Sequence, residues 1–192
     1  MPRVFRRADT MVMPATVYST AQMVRALPDD GNRYETVHGE LLVTPAPRAA
    51  HQLVLERLVN ALGTYLRQHR VGQLWISPAD ISWEEDALVQ PDCFVVPLAE
   101  SGTLDWTQMQ TLLLVVEILS PSTARADRFT KRRLYQERQI PVYWVVDPDA
   151  RQVEVWTPNA VFPVAVTDAV EWRPAGAVEP CVIRIEELFR PI

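Results

Sequence analysis

The stretch that most constrains the fold is Leu112-Leu113-Leu114-Val115-Val116-Glu117-Ile118-Leu119. A continuous aliphatic run of this length is the pattern of a central strand covered on both faces. One acid interrupts it. An ionised carboxylate in such a setting costs several kcal/mol unless something pairs with it. Glu117 therefore needs a cation, a metal ion or a proton of its own, unless it escapes to solvent through the Ser120-Pro121-Ser122-Thr123 loop. A second acid stands in a similar place. Leu88 to Val96 reads as another strand, interrupted by Pro91-Asp92. Asp92 shares a face with Phe94 and Val96, and Glu117 shares one with Val115 and Leu119. If the two strands are neighbours, their carboxylates converge at one edge of the sheet. Carboxylates gathered there suit a hard divalent ion such as Mg²⁺. Such an ion activates a bound water and stabilises charge on a phosphodiester under attack.

Elements follow from periodicity. Ser19 or Thr20 caps a short helix through Leu27. Arg33–Val37 and Glu40–Val43 flank His38-Gly39 as a hairpin. Ala49 to His69 is the strongest helix, with Val54, Leu58, Ala61, Leu62 and Tyr65 as its core stripe and His51 in its first turn. Asp80–Trp83 and Leu88–Gln90 pair across an acidic turn, and Leu98 to Gln110 is a polar connection. Ser122 to Gln139 is a second helix, rich in arginine. Pro141–Val146 is a third apolar strand and Gln152–Trp156 an edge strand. Residues 1–17 read as a loose leader and 18–192 as one domain, α/β in class, with a central mixed sheet flanked by helices.

Composition narrows the function classes. A net charge of −5 weakens any reading as a strong non-specific DNA binder. It leaves room for a local basic face, since Arg125, Arg128, Lys131, Arg132, Arg133 and Arg138 cluster in one stretch. No apolar run is long enough to span a bilayer, and no apolar core follows Arg3, Arg6 and Arg7 as a secretory signal needs, so the cytoplasm is the default. Cys93 and Cys181 lack metal-ligand spacing. The third strand and the tryptophan-rich C-terminal part fit a homodimer interface or a core face equally well.

Several motifs occur in a specific order. They are Arg33-Tyr34-Glu35, Gly39-Glu40-Leu41, His51, Gln90-Pro91-Asp92, Val116 to Thr123, Lys131 with Tyr135, and Tyr143-Trp144-Val145-Val146-Asp147-Pro148. From about residue 18 to the C-terminus the chain resembles the Uma-two family. This is a bacterial group of restriction-endonuclease-like proteins in the PD-(D/E)XK nuclease superfamily. The resemblance implies a restriction-endonuclease-like fold and a Mg²⁺-dependent endonuclease acting on DNA, with Mn²⁺ as an alternative ion. By motif position it makes Asp92 and Glu117 metal ligands and Glu40 the acid from the N-terminal part. The wider superfamily places a lysine two residues after the second acid. Leu119 stands there, and Lys131, the chain's only lysine, is the natural replacement. An ordinary helical pair with Asp127 explains Lys131 as well. His51 is a candidate base or phosphate contact. Gln90 is a candidate for positioning water, or a sheet hydrogen bond. Tyr135 is an accessory candidate, and Arg125, Arg128 and Arg132 are candidate DNA phosphate contacts. Glu35 and Asp80 are expected to be structural, and Asp147 a turn residue. The rival reading is a non-catalytic nucleic-acid- or metal-binding module on the same scaffold, favoured by the acidic charge and by Leu119.

Overall fold

The computed structural model describes residues 17–192, so the expected leader lies outside the described residues except for Val17. Helix α1 (Ala21–Arg25) starts where the side chain of Thr20 accepts a hydrogen bond from the Met23 amide. The hairpin follows as expected, β1 (Arg33–Val37) against β2 (Glu40–Thr44). His38 and Gly39 both take positive φ, the geometry of a tight two-residue turn. Helix α2 (Ala49–His69) ends on Arg70 in the left-handed region. Then come β3 (Gln73–Ile76), β4 (Ile81–Glu84), β5 (Ala87–Val89) and β6 (Cys93–Val96). A short helix α3 (Leu98–Ser101) leads to β7 (Leu114–Ile118), the central aliphatic run. A π-helical turn, Ala126–Lys131, runs into α4 (Arg132–Glu137). The chain finishes with β8 (Tyr143–Asp147), β9 (Gln152–Trp156), β10 (Val164–Val166), β11 (Ala169–Trp172), β12 (Cys181–Arg184) and α5 (Ile185–Leu188).

The main sheet is mixed, in the order β10-β9-β8-β7-β6-β3, with β7 and β8 as its parallel pair. A smaller antiparallel sheet, β2-β1-β5-β4, lies across one face, and β11-β12 form a separate ribbon. Two sequence readings change here. The apolar run from Leu88 to Val96 is two strands rather than one interrupted strand. Its first half, β5, belongs to the small sheet and its second, β6, to the main sheet. Pro91 and Asp92 carry the chain between the layers, where a proline need give no ladder amide. The expected edge strand, Gln152–Trp156, is internal because β10 pairs with its outer side.

Each face of the main sheet has its own core. Leu114, Val116, Ile118, Trp144 and Val146 pack against Val54, Leu58 and Leu62 of α2 and against the β11-β12 ribbon with α5. On the other face Phe94, Val115, Tyr143 and Val145 meet Val37, Ile81 and Val89 of the small sheet and Leu134 and Tyr135 of α4. Trp144 and Trp172 are both buried in the first core, so the apolar third strand and the C-terminal tryptophan of the homodimer reading serve the interior. Among the described residues no helix is long and apolar enough to cross a membrane.

The α2 stripe anchors this layering. Leu58 is fully buried against the sheet. Leu58→Ala is expected to lower unfolding stability by about 2–5 kcal/mol in urea titrations, the range for emptying a leucine site in a packed core. A loss below about 1 kcal/mol would show that α2 is not a structural anchor.

Candidate active site: carboxylates around a buried lysine

The site forms between the two sheets, at the end of β7 where the chain leaves for the Ser120–Thr123 loop. Cys93 of β6 pairs with Val116 of β7, so one step further along the register Asp92 stands opposite Glu117. Alternation turns Glu117 toward the small sheet along with Val115 and Leu119, both in the core on that side. The small sheet answers with Glu35, which shares a face of β1 with Val37 and Arg33. Glu35, Asp92, Glu117 and Asp127 are all buried, at 0–3% exposure.

Lys131 enters this acidic space from the π-helical turn and is itself only 1% exposed. Its Nζ lies 3.0 Å from Glu117 Oε1, 2.9 Å from Glu35 Oε2 and 3.4 Å from Asp127 Oδ1. The Glu117 contact is a hydrogen bond, whereas the Glu35 and Asp127 contacts are ion pairs whose oxygens have no hydrogen-bond partner. Tyr135 also donates its hydroxyl to Glu117 Oε1, at 3.1 Å. The π turn keeps Asp127 and Lys131 side by side, and π turns of this kind recur at functional sites. Asp92 has a different set of partners. Arg33 Nη1 donates to its Oδ1 at 3.0 Å, while His51 Nε2 and the Ile118 amide approach Oδ2 at 3.0 and 2.8 Å.

These surroundings split the acids. Burial alone would push Asp92 up, but the His51 hydrogen bond, the Arg33 guanidinium and the Ile118 amide together bring it down to about 2. Burial raises the Glu117 carboxyl well above its usual range, and Lys131 offsets this only in part while Asp127, Asp92 and Glu35 add to it. Asp127 is raised for the same leading reason. Burial works against the Lys131 ammonium, yet Glu117, Glu35 and Asp127 hold it firmly charged. Four carboxylates thus face two permanent cations, Arg33 and Lys131, leaving an excess of two negative charges when all are ionised. Hard oxygen donors with that excess fit one divalent ion. Among the described residues no group of three or more His, Cys, Asp or Glu forms a ready-made metal cage. Mg²⁺ does not require one, since it commonly takes one or two carboxylates with waters and substrate phosphate.

The site opens on two sides. A cleft of about 790 Å³ is lined by Arg33, His51, Gln90 and Asp92 together with Arg25 and Arg48. A cavity of about 130 Å³ reaches Glu35, Asp127 and Lys131, and Thr44, Ser122 and Thr123 line both openings.

The structure brings Asp92, Glu117, Lys131, Tyr135 and His51 together. Glu40 is not among them. It begins β2, is exposed, and has no hydrogen bond or ion pair to the cluster among the described residues. Glu35, expected to be structural, stands in the cluster instead. Gln90 receives structural work: its amide donates to Glu35 Oε1 at 2.7 Å and its side chain to Asp80 at 2.8 Å. Two of the three arginines expected to meet phosphate are engaged within the fold. Arg128 bridges Asp147 and Glu154 at 2.6 and 2.7 Å, and Arg132 bonds Gln136 while stacking over Trp156. Arg125 is exposed, with no ion pair among the described residues. Asp147 is a turn residue as expected, accepting from the Asp149 and Ala150 amides, and it also anchors Arg128.

The raised Glu117 carboxyl has a thermodynamic signature. A group raised by folding stabilises fully below its unfolded value, and that contribution is lost as pH rises toward the folded value. In EDTA, Glu117→Gln removes this dependence. Its Tm relative to the natural chain is expected to climb between pH 5 and pH 8. A Tm of the variant that falls relative to the natural chain over that range would contradict the raised carboxyl.

The Uma2 family model, described as "Putative restriction endonuclease", matches residues 21–176. The chain is also similar to the crystal structure of "a putative nuclease belonging to DUF820" from Anabaena variabilis. The two are 21% identical with a TM-score of 0.74, and the match covers 89% of this chain and 97% of that one. At that identity the likeness carries the fold, which is restriction-endonuclease-like. No curated protein matches the chain. Because the family match spans well over half of the sequence, the chain belongs to the Uma2 family.

Proposed function

We propose that this protein is a metal-dependent endonuclease that hydrolyses phosphodiester bonds of DNA. The observation that carries the reading is the meeting of Asp92 and Glu117 on adjacent strand ends, with Lys131 Nζ 3.0 Å from Glu117 and Asp92 lining an open cleft. Asp92 and Glu117 would hold Mg²⁺ or Mn²⁺. The bound ion would supply an activated water and stabilise charge on the phosphodiester. The remaining work falls to side chains. Lys131 keeps its proton among three carboxylates, so it acts as a fixed positive charge that orients a nucleophile rather than as a base. It fills the role of the lysine absent at Leu119, reaching the second acid from the following helix rather than from the strand. Glu35 and Asp127 hold the ammonium in place. Tyr135 fixes the Glu117 carboxylate through its hydroxyl. His51 and the Ile118 amide orient Asp92.

A second reading rests on one observation. Both Asp92 oxygens already have protein partners, as they would in a binding module that keeps the scaffold without turnover. One assay separates the two. Purified protein is incubated with supercoiled plasmid, linear duplex and single-stranded DNA in Mg²⁺ or Mn²⁺. The natural chain is expected to cut, and Asp92→Asn, Glu117→Gln and Lys131→Ala are each expected to lose about 10²-fold or more, in line with removing a group that stabilises transition-state charge. Glu40→Gln should cut normally. No cutting of any substrate, with all variants indistinguishable, favours the binding module.

A further inference from the structure

A divalent ion bound at Asp92 Oδ1 would stand beside the Arg33 guanidinium that already holds that oxygen, and the three partners of Asp92 differ in how freely they can leave. The Ile118 amide belongs to the backbone of the central strand. His51 sits in the first turn of α2, a helix locked to the sheet by its leucine stripe. Arg33 alone is a long side chain at the rim of the cleft. Its side chain is 19% exposed, its Nη1 lies 3.0 Å from Asp92 Oδ1, and its Nε has no hydrogen-bond partner and lies 3.7 Å from Glu35 Oε2. A guanidinium is a planar fork suited to phosphate as much as to carboxylate.

We infer that Arg33 is a placeholder cation, holding Asp92 Oδ1 until a divalent ion takes that oxygen and then turning to a phosphate of the substrate in the cleft. The inference rests on the metal-dependent reading above. It adds that metal and Arg33 compete for one oxygen. The released guanidinium gains from an anion placed beside it, so metal loading and DNA binding strengthen one another, and linkage makes that coupling reciprocal. Arg33 is then a substrate-binding residue whose resting position suppresses loading of the ion in the absence of DNA. Electrostatics point the same way. The guanidinium lies within reach of two acids, and a divalent ion arriving beside it would repel it toward the open cleft.

The test uses two readouts that do not depend on cleavage. Mn²⁺ is titrated calorimetrically into the natural chain, Arg33→Met and Arg25→Met without DNA. Arg25 lines the same cleft and pairs with Asp80 at 3.5 Å, so its loss controls for charge alone. Separately, the affinity for a labelled DNA hairpin with a single-stranded tail is measured at saturating Ca²⁺ and fixed salt, with the ion in place and no cleavage needed for the readout. Arg33→Met is expected to bind Mn²⁺ about tenfold tighter than the natural chain and the hairpin about tenfold more weakly, a typical size for such coupling. Arg25→Met should bind Mn²⁺ as the natural chain does. Arg33→Lys, which keeps the charge but loses the fork, should fall between and decides the question if Arg33→Met does not fold. Equal Mn²⁺ affinity in the natural chain and the Arg33 variants overturns the placeholder while leaving the metal site intact. Equal tightening in Arg25→Met overturns it in favour of general charge. No Mn²⁺ binding by any of them overturns both this inference and the metal-dependent reading.

Discussion

The fold around the site depends on one ammonium. Lys131 is buried within 3.4 Å of three carboxylates that come from three different elements: β1, β7 and the π-helical turn. Each acid alone, dehydrated between two sheets, would cost several kcal/mol. Together around one cation they tie the small sheet, the central strand and the second helix into one body. The arrangement is still short of neutrality. Replacing the cluster with apolar side chains of similar volume would by general experience hold the layers together at least as well. The cluster therefore contributes little that apolar packing would not, and on the proposed reading the unbalanced charge is the property a divalent ion would use.

Strand topology determines where the cluster forms. The main sheet has one parallel pair, β7 with β8, and the connection between them must cross the sheet. That connection is the stretch bearing the Ser120–Thr123 loop, the π turn and α4. The crossover brings Lys131 and Tyr135 back over the same strand end that carries Glu117. On the other side β6 runs antiparallel to β7, so its N-terminal end, with Asp92 just before it, lies at the same edge. Asp92 is the residue at which the chain leaves the small sheet for the main one. The site thus occupies the junction where these two chain crossings meet, with two openings onto it.

Much of this was legible in the sequence, through burial. Glu117 stood out because its aliphatic neighbours allow no solvated position, and Asp92 because it entered a second apolar run. Lys131 stood out as the only lysine on a helix face with Asp127 and Tyr135. Glu35 did not, although its signal was present. It is two residues before Val37 and two after Arg33, so strand alternation puts all three on one face, and Val37 is fully buried. Glu40, beside a glycine turn, carries the more visible motif in the sequence. The hairpin register pairs that residue with Val37 at the exposed end of β2. The arginine-rich helix misled for a related reason. Counting charges along a helix does not reveal acids that arrive from distant strands, and Asp147 and Glu154 claim Arg128 from β8 and β9. Gln152–Trp156 reads as an edge strand in the sequence because its outer neighbour β10 is only three residues long, too short to show a pattern.

Those internal pairings bear on how an acidic chain can attract a polyanion. With a net charge of −5, long-range attraction to DNA is weak, and the helix that looked basic is partly neutralised within the fold. The arginines that line the cleft are Arg25, Arg33 and Arg48, drawn from α1, β1 and the entry to α2. One of them already faces an acid of the site and another faces Asp80. A cleft with so little uncommitted positive charge binds phosphate well only after a further cation enters. Acidic net charge and the proposed nuclease chemistry are then compatible, because an ion held by the carboxylates would supply the positive charge that the surface lacks. On the proposed reading, binding of the ion and binding of the nucleic acid would strengthen one another at this site, while the net charge of −5 disfavours adsorption to DNA elsewhere on the surface.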